Sequence, residues 1–93
     1  MPYHLDIPKH LKKQGWKVKI RERERSEPPH ATVLFKTSSW RYGLREKNFL
    51  DSKPDPGDVP SELLEHMNNN LEHLTREWDR KYSENPVSSK GEQ

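Results

Sequence analysis

The hydrophobic and polar positions of this chain change period three times, and the changes mark its elements. Ile7 and Leu11 lie four apart, preceded by Asp6 and followed by Gly15. An Asp before an apolar helical pair, a Pro in the first turn and a Gly stop predict a short helix over 7–14, with Asp6 as its N-cap. From Trp16 the period becomes two. Trp16, Val18 and Ile20 fall on one side; Lys17, Lys19, Arg21, Arg23 and Arg25 fall on the other. That alternation predicts a half-buried antiparallel strand. Ser26-Glu27-Pro28-Pro29 ends it, because consecutive prolines cannot continue a hydrogen-bonded ladder. Ala31, Val33 and Phe35 predict a second strand, and Trp40, Tyr42 and Leu44 a third after a turn at Thr37-Ser38-Ser39. Phe49-Leu50 offers a brief fourth edge.

After the Pro-rich stretch 51–58, Leu63, Met67, Leu71, Leu74 and Trp78 recur at spacings of four, four, three and four. This is the apolar stripe of a long helix, with Asp58 as cap and Pro60 in the first turn. Asn68-Asn69-Asn70 is poor helix material and predicts a bend in its middle. The expected architecture is α+β: a three- to four-stranded antiparallel sheet with a short N-terminal and a long C-terminal helix, in the order α-β-β-β-(β)-α. One face of the sheet packs on the long helix in two layers and the other is left open. Residues 1–6 are expected as a flexible N-terminus, 7–82 as a single domain and 83–93 as a disordered tail.

Composition narrows the functional classes. Charged residues make up 34% of the 93 positions and hydrophobic ones 28%, so the core is lean, yet the eight aromatic residues suffice to build one. Cysteine is absent, which excludes disulfides and thiolate metal sites. The longest aliphatic-aromatic run, Val33-Leu34-Phe35, is far too short to cross a bilayer, so a cytoplasmic location and no membrane partner are expected. The net charge of +2 conceals a split: residues 1–48 carry twelve Lys and Arg against five Asp and Glu, whereas residues 49–93 carry five against ten. A basic half points to an anionic partner.

The open sheet face is where those cations are expected to gather: Lys17, Lys19, Arg21, Arg23 and Arg25 from the first strand, Lys36 from the second, Arg41 and Arg45 from the third. Alternate residues of a strand stand about 6–7 Å apart, so the first strand alone carries a ridge of about 26 Å. Phosphates need cations in a row and no catalytic geometry, which makes RNA or DNA the leading ligand class. An acidic protein partner suits the same face. Exposed Lys and Arg also protect an edge strand from aggregation, a purely structural use of the same residues.

His30 is the candidate for chemistry, since a histidine among cations could serve acid–base catalysis on a phosphodiester, making the chain a metal-independent ribonuclease. No second proton-transfer group accompanies it at a definite position. His66 and His73 stand seven apart, about 10.5 Å of helical rise, too far to share an ion. No metal and no cofactor are expected, and the balance favours binding over catalysis.

Gly15-Trp16-Lys17-Val18-Lys19-Ile20, Glu27-Pro28-Pro29-His30 and Trp78-Asp79-Arg80-Lys81-Tyr82 resemble small uncharacterised bacterial proteins with a P-P-H-x-H signature, a domain of unknown function. Thr32 stands where the second signature histidine would be. The resemblance implies a protein-interaction role, as one component of a toxin–antitoxin-like pair. The element order is also similar to the double-stranded-RNA-binding fold of HicA toxins, whose Gly-Ser-His strand motif this chain lacks.

Overall fold

The computed structural model describes residues 3–21 and 26–87. It is an α+β fold with a five-stranded antiparallel sheet. The strands are β1 (Tyr3–His4), β2 (Lys17–Ile20), β3 (His30–Phe35), β4 (Ser38–Gly43) and β5 (Asn48–Phe49), and they lie side by side in sequence order. The helices are α1 (Lys9–Gln14), α2 (Ser61–Asn69) and α3 (Leu71–Lys81).

The period-two alternation sets which face is buried. Val18 lies opposite Val33, which lies opposite Trp40, and Ala31 lies opposite Tyr42. These side chains, with Ile20 and Leu44, are buried against Leu63 and Met67 of α2 and Leu74 and Trp78 of α3. Trp16 stacks on Phe35 with ring centres 4.2 Å apart and leans on Trp40 at 5.7 Å. The Tyr42 hydroxyl donates to Asn68 Oδ1 at 2.6 Å, a polar tie between β4 and α2. Gly15 reverses the chain from α1 into β2 at φ 108°, where its N–H and that of Trp16 cap the carbonyls of Lys12 and Leu11. A Cβ is disfavoured in that conformation.

Several expectations are corrected. Tyr3 and His4 are not a flexible end: they pair with Ile20 and Lys19, and the Tyr3 ring meets His73 edge-on at 5.4 Å. Pro8, not Asp6, is the N-cap position of α1, and the Asp6 carboxylate instead accepts from Lys12 Nζ at 3.0 Å. Pro60, not Asp58, precedes the next helix, because Asp55 caps a short 3-10 turn at Pro56–Asp58 through Gly57 N–H. The long helix is divided: α2 ends at Asn69, and the Asn70 side chain donates to the His66 carbonyl at 2.8 Å before α3 begins. A side-chain amide that bonds a free carbonyl competes with continuation of the helix.

Residues 83–87 are tied down, whereas 88–93 of the expected tail lie outside the described residues. Trp78 Nε1 donates to the Asn85 carbonyl at 2.7 Å, and Asn85 Nδ2 donates to the Glu27 carbonyl at 2.8 Å. Val87 N donates to Asp79 Oδ1 at 2.7 Å, and the Tyr82 hydroxyl donates to the Arg21 carbonyl. Among the described residues no helix is long and apolar enough to cross a membrane.

Candidate functional site on the open sheet face

Directly opposed residues of antiparallel strands share a face. The register therefore aligns His4, Lys19, Thr32 and Arg41 in one row across β1 to β4, on the side away from the core. Lys17 lies opposite Leu34, and Leu34 opposite Ser39, in the next row. Lys17 and Arg21 are exposed and Lys19 is half-buried. Among the described residues no carboxylate pairs with any of the three. They form a ridge with one cation at every second residue, two in β2 and one just after it.

The remaining candidate cations take other places. Arg23 and Arg25 lie outside the described residues. Lys36 occupies the β3–β4 turn with φ 55°, its Nζ 5.1 Å from the centre of the Phe35 ring. Arg45 follows β4 and holds the C-terminal segment, donating through Nε to the Val87 carbonyl at 2.8 Å and through Nη2 to the Pro86 carbonyl at 2.7 Å.

Arg41 is on the face but its charge is engaged. Nε and Nη2 grip the two oxygens of Asp51 at 2.8 and 2.7 Å, and Nη1 reaches Glu27 Oε1 at 3.2 Å. The hydrogen bonds it donates to Asp51 hold the guanidinium still more firmly protonated than usual, and the same bonds lower the pKa of the Asp51 carboxyl. Two carboxylates around one guanidinium more than offset its charge at long range while fixing its plane. Arg41 therefore acts at contact distance, whereas Lys17, Lys19 and Arg21 act further out.

The Asp51–Arg41 pair yields a pH prediction. A depressed carboxyl contributes stability that is complete above the ordinary Asp pKa of about 3.9 and is lost as pH falls through the lower folded value. About a third of each side chain is open to water, 37% for Arg41 and 34% for Asp51, so the contribution is discounted to roughly 0.2–1 kcal/mol. Denaturant titrations from pH 6 to 2 are expected to show Asp51→Asn less stable than wild type at the upper end and equal to it at the lower. An undiminished gap at pH 2 would disconnect the effect from this carboxyl.

Beside Arg41 the face is hollowed into a polar cleft of about 540 Å³, lined among others by Arg21, Glu27, Thr32, Ser39, Asp51 and Lys53. Thr32 is 2% exposed, and its hydroxyl has no hydrogen-bond partner among the described residues. A buried hydroxyl left so costs about 1–3 kcal/mol, which a valine of the same shape would avoid.

His30 begins β3 and is fully buried. Its Nδ1 is 2.8 Å from the Pro28 carbonyl, its Nε2 is 3.8 Å from Glu27 Oε1, and its ring centre lies 5.4 Å from that of Trp78. No face of the imidazole opens to a phosphodiester in this arrangement. The ring instead backs the Glu27–Arg41 pair. Other histidines also have structural partners: His10 Nε2 meets Glu62 Oε1 at 2.8 Å, and His66 Nε2 lies 2.7 Å from the Asp6 carbonyl. Among the described residues no three His, Asp or Glu side chains gather as a metal site.

Thr32, Glu27, Asp51, Lys53 and His4 carry no motif that marks them as a group. Period-two counting from Val33 and Tyr42 places Thr32 and Arg41 outward, but the placing of Asp51 depends on the path of the loop after β5. No family model, curated protein or solved structure matches this chain.

Proposed function

We propose that the protein is a non-catalytic binding module that takes the phosphate backbone of a nucleic acid on the open face of its sheet. The reading is carried by one observation: Lys17 and Lys19 of β2 and Arg21 just after it stand at every second position with no carboxylate paired to them among the described residues. A solvated cation row at this spacing suits a polyanion and demands no fixed ligand conformation. Leu34 and Thr32 lie beside the ridge on β3, and among the described residues no helix stands on this face to read bases, so binding would be largely indifferent to sequence.

Fluorescence-anisotropy titration of labelled single- and double-stranded RNA and DNA tests the reading. Three phosphate contacts on a single strand give a slope of log affinity against log salt of about −2. Raising salt from 50 to 200 mM is then expected to weaken binding roughly fifteen- to twentyfold. Failure of all four ligands to bind at the lower salt would retire the proposal, and an acidic protein partner would become the first candidate for this face.

A further inference from the structure

The cleft beside the ridge has chemistry that a backbone-binding ridge does not need. Thr32 lines the cleft with a buried hydroxyl that has no hydrogen-bond partner among the described residues, and Arg41 lines it with a guanidinium already held in plane. Arg41 has five N–H donors, of which Asp51 takes two and Glu27 one, so among the described residues one N–H remains on each terminal nitrogen. Arg21 and Lys53 line the same cleft, and no carboxylate pairs with either among the described residues. Among the described residues three cations face two carboxylates here, and both carboxylates are already engaged by Arg41.

We propose that this cleft is a subsite for a phosphate monoester. A monoester carries about −1.5 to −2 charges near neutral pH and three acceptor oxygens, whereas an internal phosphodiester carries one charge and two free oxygens. The three oxygens match three kinds of donor: the Thr32 hydroxyl, the two remaining Arg41 N–H groups, and the cations of Arg21 and Lys53. Position makes the same choice. Thr32 is almost wholly buried, so a phosphate with sugar on both sides stays at the rim, while a chain end reaches the hydroxyl. Arg21 belongs to both the ridge and the cleft, so a strand lying along β2 could lead its terminal phosphate into the subsite. In that form the inference rests on the nucleic-acid reading. A free nucleoside monophosphate carries the same group and is the other source of it.

Three probes separate these cases: a short 5′-phosphorylated oligonucleotide, the same oligonucleotide without the phosphate, and adenosine 5′-monophosphate. The wild-type protein is expected to prefer the phosphorylated strand by about tenfold or more, the worth of one hydrogen bond to a charged group. Thr32→Val is expected to erase that preference while leaving the unphosphorylated strand and the circular dichroism spectrum unchanged. Thr32→Ser, which keeps the hydroxyl, is expected to retain the preference. Equal binding of the two strands by wild type, or a preference that survives Thr32→Val, would overturn the subsite and leave the ridge standing. Monophosphate binding that is lost in Thr32→Val, with neither strand bound, would establish the subsite and remove the ridge. Binding of none of the three would remove both.

Discussion

Trp78→Ala is expected to lose about 3–5 kcal/mol of folding stability, the cost of emptying a large aromatic site in a packed core. Trp78 is fully buried, its ring centre 5.4 Å from His30 and 4.3 Å from Tyr82, and its Nε1–H holds the Asn85 carbonyl. A domain of this length has roughly 5–14 kcal/mol in all, so the variant should be marginal or partly unfolded at room temperature. Urea denaturation followed by circular dichroism measures the change without relying on the indole that has been removed. Trp78→Phe separates packing from polarity. It retains most of the ring contact but leaves the Asn85 carbonyl without that donor, and is expected to cost considerably less than the alanine variant. A loss below about 1 kcal/mol in Trp78→Ala would contradict the burial described for α3.

The parts of this fold that could be read from sequence are those specified by local periodicity. Val18, Val33 and Tyr42 announce their strands by alternation alone, and Leu63, Met67, Leu74 and Trp78 announce α2 and α3 by helical spacing. The Asn run predicts a bend in one long helix, and the structure divides the helix there, where Asn70 gives its amide to the His66 carbonyl. The caps were harder. Asp6 and Asp58 are the right residue type near a helix start, but Pro8 and Pro60 adopt extended ψ angles of 143° and 139°. Each helix therefore begins one residue after its proline.

What could not be read depends on contacts distant in sequence. β1 is two residues long, too short for any period, and is defined only by β2 beside it. His30 is in a turn-like context by its neighbours Pro28 and Pro29, which suggests exposure. The segment that follows α3 changes this, because Asn85 bonds the Glu27 carbonyl 58 residues away and Trp78 packs near the imidazole. The basic face shows the same division. Alternation places Lys17, Lys19, Arg21 and Arg41 outward, but no local signal tells that Asp51 will occupy Arg41, or that Arg45 will be drawn to the carbonyls of Pro86 and Val87.

That redistribution of charge makes the second large prediction specific to residue. The double substitution Lys19→Glu and Arg21→Glu is expected to weaken binding of single-stranded nucleic acid by on the order of a hundredfold at low salt. It alters four unit charges beside the bound backbone, at roughly 0.5–1 kcal/mol each when partly screened by solvent. Both positions are on the open face and neither side chain supports the core, so the variant should fold with an unchanged circular dichroism spectrum. Neutralising Lys36 and Arg45 instead is expected to change affinity by less than about threefold, because one sits at the β3–β4 turn over Phe35 and the other serves the C-terminal segment. If the two pairs of substitutions weakened binding equally, attraction would depend on the net charge of the whole basic half and not on a surface. If only the first pair does so, the phosphate backbone follows β2, and the salt slope of the doubly reversed protein should fall toward zero as its contacts disappear.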